Sequence, residues 1–590
     1  MEVLKSGADF KCYRYWLFNK LIFFRFTQLA NGLRVMLISS LKPGEKAEPE
    51  GDALSERPEN QHTHCDDKSG VMRKSAAALC IHAGFFSDPK EAQGLAHFLE
   101  HMVFMGSEKY PRENDFDDYV NHRDGSSNAC TDGDYTLFFF DIQQACFKEA
   151  LDKFANFFVA PLLSQDCVDR ELEAVHSEYE LYKADDSYRL DHLLSTFAKE
   201  ESPFHSFSVG NRTSLRDKPS AVGTNVYELL RKFQLKYYNA PLMTLAVESK
   251  DTLDHLESMV NEIFGPIPNR NCEAPDLSAY VNPFPSTVYK KMYKVCPVKE
   301  TVSISFVWSL PPMHSHYRSA ALKFVASIVG HEGKGSLVAY LRKLNLAVEL
   351  VAGCVINDSS NHNQMTSIFG INVELSELGR TAPTVVADHV FSYLRMLRDA
   401  ANFSEANPSA TTTTWNDRTF ASLVPEFEKI WASNFRFQEP LEPCINVRKI
   451  ALAMRKFPPH EVFVAESLIL EPNLQFVVTR CMTNAVVAVV VKKRCSKWRE
   501  CLLRLGCGCL GSFPEEHCIV LYSNGWVVAA HGGVTKTLSL DVVRLVVYVM
   551  AIVYVQCGFI YPHASLCSAL RHFPSFVRTV CGLKAYRWSR

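Results

Sequence analysis

Residues 94–106 read Gly-Leu-Ala-His-Phe-Leu-Glu-His-Met-Val-Phe-Met-Gly. Neither proline nor glycine interrupts this stretch between its ends. Leu95, Phe98, Leu99 and Met102 recur at helical spacing, so it reads as a helix with one apolar face. His97 and His101 stand four positions apart on a second face, where both imidazoles can reach one metal ion. Glu100 lies beside that face without being forced to ligate, where a carboxylate can take a proton from an attacking water. Without a metal, two histidines on so apolar a helix would need other polar partners.

Outward from this helix, strands and amphipathic helices alternate. Ala76 to Ala83 is a short apolar run closed by Gly84 and Asp88-Pro89, a buried strand. Tyr135 to Ile142 is another strand. Phe147, Leu151, Phe154 and Phe158 mark a helix, as do Val168, Leu172, Val175 and Tyr179. Upstream, Asn31-Gly32 supplies the turn of a hairpin within Gln28–Ser40. A helix over Val226–Tyr237 and a strand over Met243–Val247 complete the pattern, which is that of α/β or α+β layers. Pro266 to Pro285 holds five prolines and reads as a linker. A second round of strands and helices follows it to about residue 480.

Catalytic zinc takes three protein ligands and leaves one position open. The helix near 168–182 offers two pairs of candidates for the third: Glu171 and Glu178 on one face, Glu173 and Glu180 on another. Spacing alone leaves both pairs open.

The chain has 590 residues, a length that predicts several domains, and 47% hydrophobic composition, enough to build packed cores. The net charge of −2 argues against a nucleic-acid binder. It conceals a split: the last 110 residues carry +9 and nine cysteines, whereas the first 480 carry −11 and ten scattered cysteines. Residues 42–70 hold eight acids and three prolines and read as a solvated acidic insert. With no early apolar leader and no cysteine framework, a cytoplasmic location is expected. Residues 545–561 are uncharged but at the lower edge of spanning length, and their β-branched content suits buried strands, so no membrane contact is expected.

The HxxEH order in Gly94–Gly106 is the inverzincin arrangement. Together with Lys109–Asn114, Gly125-Ser-Ser-Asn-Ala129, Asp169–Glu178, Ser202–Asn211 and Gly330–Ser336, in that order, it resembles the insulinase (pitrilysin-like) metallopeptidases. The resemblance runs from about Gln28 to about residue 480. It implies two homologous sheet-and-helix domains of the insulinase and mitochondrial-processing-peptidase type. The catalytic domain would be residues 28–270 and a second, inactive domain 286–480, flanked by an atypical segment 1–27 and a non-family tail 481–590.

The resemblance further implies that His97, His101 and Glu178 hold one zinc ion. Glu100 would be the general base and Glu171 a supporting carboxylate. Asn128 and Ala129 would lie on an edge strand that receives an extended peptide, and Gly333, Gly335 and Gly353 would contact the substrate's N-terminal end. The branch it most resembles cuts at basic or dibasic sites, which an acidic protein would favour. Full-length members of that branch have a second half that supplies transition-state groups. Only the first half is recognisable here, so weakened activity is expected, with a peptide-binding protein that keeps the zinc fold as the alternative reading.

Overall fold

Ala77, Leu79 and Ile81 face one side of a sheet and Ala76, Ala78 and Cys80 the other, and all six are buried. A strand that is apolar on both faces must be covered on both faces, and the architecture follows from that requirement. The computed structural model describes residues 20–41, 74–289, 291–298, 302–354, 359–406 and 420–471. It also describes strand segments at 2–6, 10–17, 487–491, 520–523, 526–531 and 534–539. The acidic insert 42–70 and the apolar segment 545–561 lie outside the described residues.

The first sheet comprises β1 (Glu2–Ser6), β2 (Phe10–Leu17), β3 (Lys20–Gln28), β4 (Arg34–Ser39), β5 (Ser75–Ile81), β6 (Ser126–Thr131), β7 (Thr136–Ile142) and β8 (Met243–Ser249). Their order is β1-β2-β3-β4-β8-β5-β7-β6, with only the β4–β8 pair parallel among the pairings described. The hairpin read around Asn31-Gly32 is β3–β4. Its first strand begins at Lys20, ahead of Gln28, and buries Phe24. Gly32 takes φ +92°, and Asn31 Nδ2 donates to the carbonyls of Phe264, Gly265 and Ile267, which ties the turn to the domain's last helix.

One face of this sheet packs against helices α1 (Leu95–Val103), α2 (Phe147–Val159), α3 (Val168–Tyr182) and, through the hairpin strands, α5 (Leu253–Phe264). Between α3 and α5 runs α4 (Asp186–Thr196), which buries no residue fully.

The second round forms β9 (Ser303–Leu310), β10 (Ala347–Gly353), β11 (Ser367–Leu375) and β12 (Val487–Val491), antiparallel neighbours in the order β10-β11-β9-β12. Ile304, Phe306 and Trp308 carry its core, which packs on α6 (Ala321–Val329), α7 (Leu337–Lys343), α8 (Pro383–Ala406) and α9 (Phe420–Arg436). Tyr293–Val295 belongs to a separate unit with the strands Val520–Ser523, Trp526–His531 and Val534–Ser539, which pair in an antiparallel meander. Among the described residues no helix is long and apolar enough to cross a membrane.

The other face of the first sheet is covered by α10 (Pro443–Lys456), although it lies within the stretch 286–480 that reads as the second domain. Val447, Ile450, Ala451 and Met454, at helical spacing, bury against Phe24, Met36, Ile38 and the alanines of β5. A second link joins the domains. Asp132 accepts from the backbone N–H groups of Ser359 (2.9 Å) and Ser360 (3.0 Å) and from Ser360 Oγ (2.5 Å).

Nearby, His362 is 7% exposed, with Nδ1 2.9 Å from Ser367 Oγ, and burial pushes its pKa down to about 4, helped by Lys456. The unfolded chain would protonate this histidine near pH 6.5, before the folded protein does. The unfolded state therefore binds more protons between pH 6.5 and 4, and stability falls as pH falls through that window, by about 3 kcal/mol for this group. Urea titrations at pH 7 and pH 4 should show His362→Asn gaining on the wild type by that order as pH drops. Equal acid losses in the two proteins would contradict the assignment.

Candidate metal centre

Helix α1 begins at a backbone crossing. Gly94 adopts φ +89°, and a Cβ placed there would lie 2.2 Å from the Cα of Gly210. The first N–H groups of a helix have no partner within it. Here the Asp88 carboxylate accepts from the N–H of Gly94 (2.7 Å), Leu95 (3.1 Å) and Ala96 (2.9 Å). With Leu95, Phe98, Leu99 and Met102 buried against the sheet, His97 and His101 are turned toward α3.

The Gly94–Gly210 contact also sets one imidazole. His97 Nδ1 lies 2.7 Å from the carbonyl oxygen of Val209, to which it donates, so Nε2 is the free acceptor. That Nε2 is 3.4 Å from Glu178 Oε2, and His101 Nε2 is also 3.4 Å from the same oxygen. His101 Nδ1 faces Glu171 Oε2 at 3.8 Å. The ligand-type atoms of His97, His101 and Glu178 lie within 4.8 Å of one another.

Spacing left two glutamate pairs open, and the fold separates them. Glu173 is engaged by Arg212 and Arg216, and Glu180 by Lys183, all at the surface. Glu171 and Glu178 face the histidines.

The charges are mutually adjusted. His101 and His97 hold Glu178 well below the usual carboxylate range. Burial opposes protonation of His101, but Glu171 and Glu178 outweigh it and push the imidazole up to about 9. Burial pushes the Glu100 carboxyl up, even though His97 and the Thr131 hydroxyl favour its charged form. Thr131 Oγ1 donates to Glu100 Oε2 at 2.5 Å.

This donor set fits a tetrahedral metal. Bonds of about 2.0–2.1 Å place adjacent ligands roughly 3.3–3.4 Å apart, the spacing seen here between each Nε2 and the carboxylate oxygen. Two imidazoles and one carboxylate also suit zinc chemically.

The other residues singled out from the sequence lie apart from this triad. Asn128 and Ala129 are on β6, the last strand of the first sheet, with Asn128 exposed. Thr131, the partner of Glu100, is on the same strand. Gly333 and Gly335 belong to the turn before α7, and Gly353 ends β10; Gly330 packs near Ala352, which brings the turn and that strand together. Sequence reasoning missed Asp88, Thr131, Tyr182 and the Val209 carbonyl. Only Asp88, a helix-capping residue type shortly ahead of α1, carried a usable signal.

A layered sheet-and-helix fold that sets an HxxEH helix against a glutamate helix is the arrangement of the inverzincin class. Residues 67–206 match the family model for insulinase (peptidase family M16), and residues 225–407 match that for the peptidase M16 inactive domain. The chain belongs to the insulinase family, as its motifs implied.

Among curated relatives, nardilysin of Rattus norvegicus is 39% identical over 406 residues, covering 68% of this chain and 33% of the relative. Insulin-degrading enzyme of Homo sapiens is 31% identical over 473 residues, covering 80% of this chain and 41% of that enzyme. The chain thus spans about a third of the length of nardilysin. The crystal structure of pitrilysin shares the fold with a TM-score of 0.67 at 23% identity, over 83% of this chain and 46% of that one. A protease from Helicobacter pylori superposes with a TM-score of 0.56 at 16% identity, over 80% of this chain and 99% of its own.

Proposed function

We propose that this chain is a zinc-dependent endopeptidase of the nardilysin and insulysin type, acting in the cytoplasm on peptides at basic or dibasic sites. The observation that carries this reading is the convergence of His97, His101 and Glu178 on one point, with Glu100 beside it. A bound zinc ion would polarise the scissile carbonyl and acidify water.

The chain's own groups do the rest. The Val209 carbonyl and Glu171 orient the two imidazoles so that both Nε2 atoms point inward. Thr131 occupies Glu100 Oε2 and leaves Oε1 to take a proton from the attacking water and pass it to the leaving amine. Burial, which raises the Glu100 carboxyl, makes it a better proton acceptor and donor near neutral pH. Strand β6 has a neighbour on one side only among the described residues, so an extended peptide can add along its free edge by backbone pairing, past Asn128 and Ala129. The turn carrying Gly333 and Gly335, with Gly353, would meet the peptide's N-terminal end. The −11 charge of residues 1–480 favours cationic peptides.

The test is cleavage of a dibasic peptide by the purified full chain. Hydrolysis should stop on adding a chelator and return with zinc. Zinc and peptide binding without turnover would make the chain a peptide-binding protein that keeps the zinc fold.

A further inference from the structure

The two oxygens of Glu178 are used differently. Oε2 sits 3.4 Å from both imidazole Nε2 atoms. Oε1 accepts from the hydroxyl of Tyr182, one helical turn further along α3, at 2.5 Å. We infer that Tyr182 is a positioning residue for the metal site: its hydroxyl holds Oε1 so that Glu178 presents a single oxygen. The inference rests on the proposed zinc site and deepens it.

Tyr182 is itself held. Its ring stacks on that of Tyr188, centroids 3.9 Å apart and planes at 20°. Tyr188 lies in the first turn of α4, which two aspartates anchor. Asp185 accepts from the N–H of Ser187 (2.8 Å) and Tyr188 (3.4 Å). Asp186 accepts from Arg189 Nη1 (2.7 Å) and from the backbone N–H of Val298 (2.9 Å). The ring therefore cannot swing clear of Glu178 without unstacking from an anchored helix.

A carboxylate with one oxygen already engaged is held to one-atom ligation, which keeps a coordination position open for chemistry. A carboxylate released from that bond can rotate or chelate through both oxygens. Outer-sphere partners of this kind are worth about 10–100-fold in metal affinity.

The experiment uses the full chain, with zinc affinity measured by competition against a chromophoric chelator and geometry read from the visible spectrum of the cobalt(II)-loaded protein. Tyr182→Phe keeps the stack and should bind zinc about 10–100-fold more weakly, with an altered cobalt spectrum. Glu178→Gln should lose the metal outright.

If Tyr182→Phe binds zinc like the wild type and its cobalt spectrum superimposes while Glu178→Gln fails to bind, the inference is overturned and the site stands. If Glu178→Gln also binds normally, the site itself is wrongly assigned. A wild-type measurement covers the case in which Tyr182→Phe does not fold: zinc should perturb the near-ultraviolet tyrosine absorbance, and an unchanged spectrum at saturating zinc would also overturn the inference.

Discussion

Glu100→Gln should leave zinc bound and lower peptide hydrolysis by about 10²–10⁴-fold. The substitution is nearly isosteric, and the amide oxygen can still accept from Thr131 Oγ1, so α1 and β6 keep their contact. What disappears is a carboxylate beside the triad that neither belongs to it nor forms an ion pair with His101. Glu171 cannot stand in, because it faces His101 Nδ1 from the outer side. The loss corresponds to about 3–5 kcal/mol of transition-state stabilisation. Initial rates on a dibasic peptide, with the metal content of the same samples, decide it. A rate within tenfold of the wild type at full zinc content would remove Glu100 from the mechanism, and loss of zinc would make it a ligand or a structural prop instead.

Gly94→Ala is expected to cost about 2–5 kcal/mol and to abolish zinc binding, though the added group is one methyl far smaller than the site. Two penalties combine. Left-handed backbone at φ +89° costs a non-glycine residue about 1–2 kcal/mol. The new Cβ would also lie 2.2 Å from Gly210 Cα and 2.5 Å from Gly210 N, and overpacking against backbone costs about 1–3 kcal/mol or more. Relief requires α1 to part from residues 209–211. That movement takes the Val209 carbonyl away from His97 Nδ1 and frees the imidazole to turn.

Gly223→Ala separates the two penalties, since Gly223 has φ +73° with nothing within 4 Å of an added Cβ. It should lose only the backbone cost and keep zinc. Denaturant unfolding of both variants, with chelator competition for zinc, tests this. Equal losses in the two would mean that the Gly94–Gly210 crossing is not what holds the site.

Much of the site's first half was legible because its chemistry is local. Helical spacing alone places His97 and His101 on one face and Leu95, Phe98, Leu99 and Met102 on another, and α1 forms accordingly. The unbroken apolar run of β5 and the apolar period of α2 likewise follow from residues a few positions apart, which is why the layered class could be read along the chain. Family motifs then supplied an expectation for Glu178 that spacing had left open.

Tertiary structure decided the rest. Glu173 and Glu180 have the same seven-residue spacing as Glu171 and Glu178, and only the packing of α3 against α1 turns one pair inward and leaves the other to Arg212 and Lys183. Helix α10 has an amphipathic pattern that says it must bury a face, but not that this face is the far side of a sheet formed some 200 or more residues earlier. Val209 and Thr131 reach the site through single hydrogen bonds, and hydrogen-bond partners distant in sequence leave no periodic trace. What this chain determines by itself is which faces are apolar and which side chains can ligate. Which of those side chains meet depends on how the helices settle on the sheet, because a contact between residues 97 and 178 exists only once the elements between them have packed.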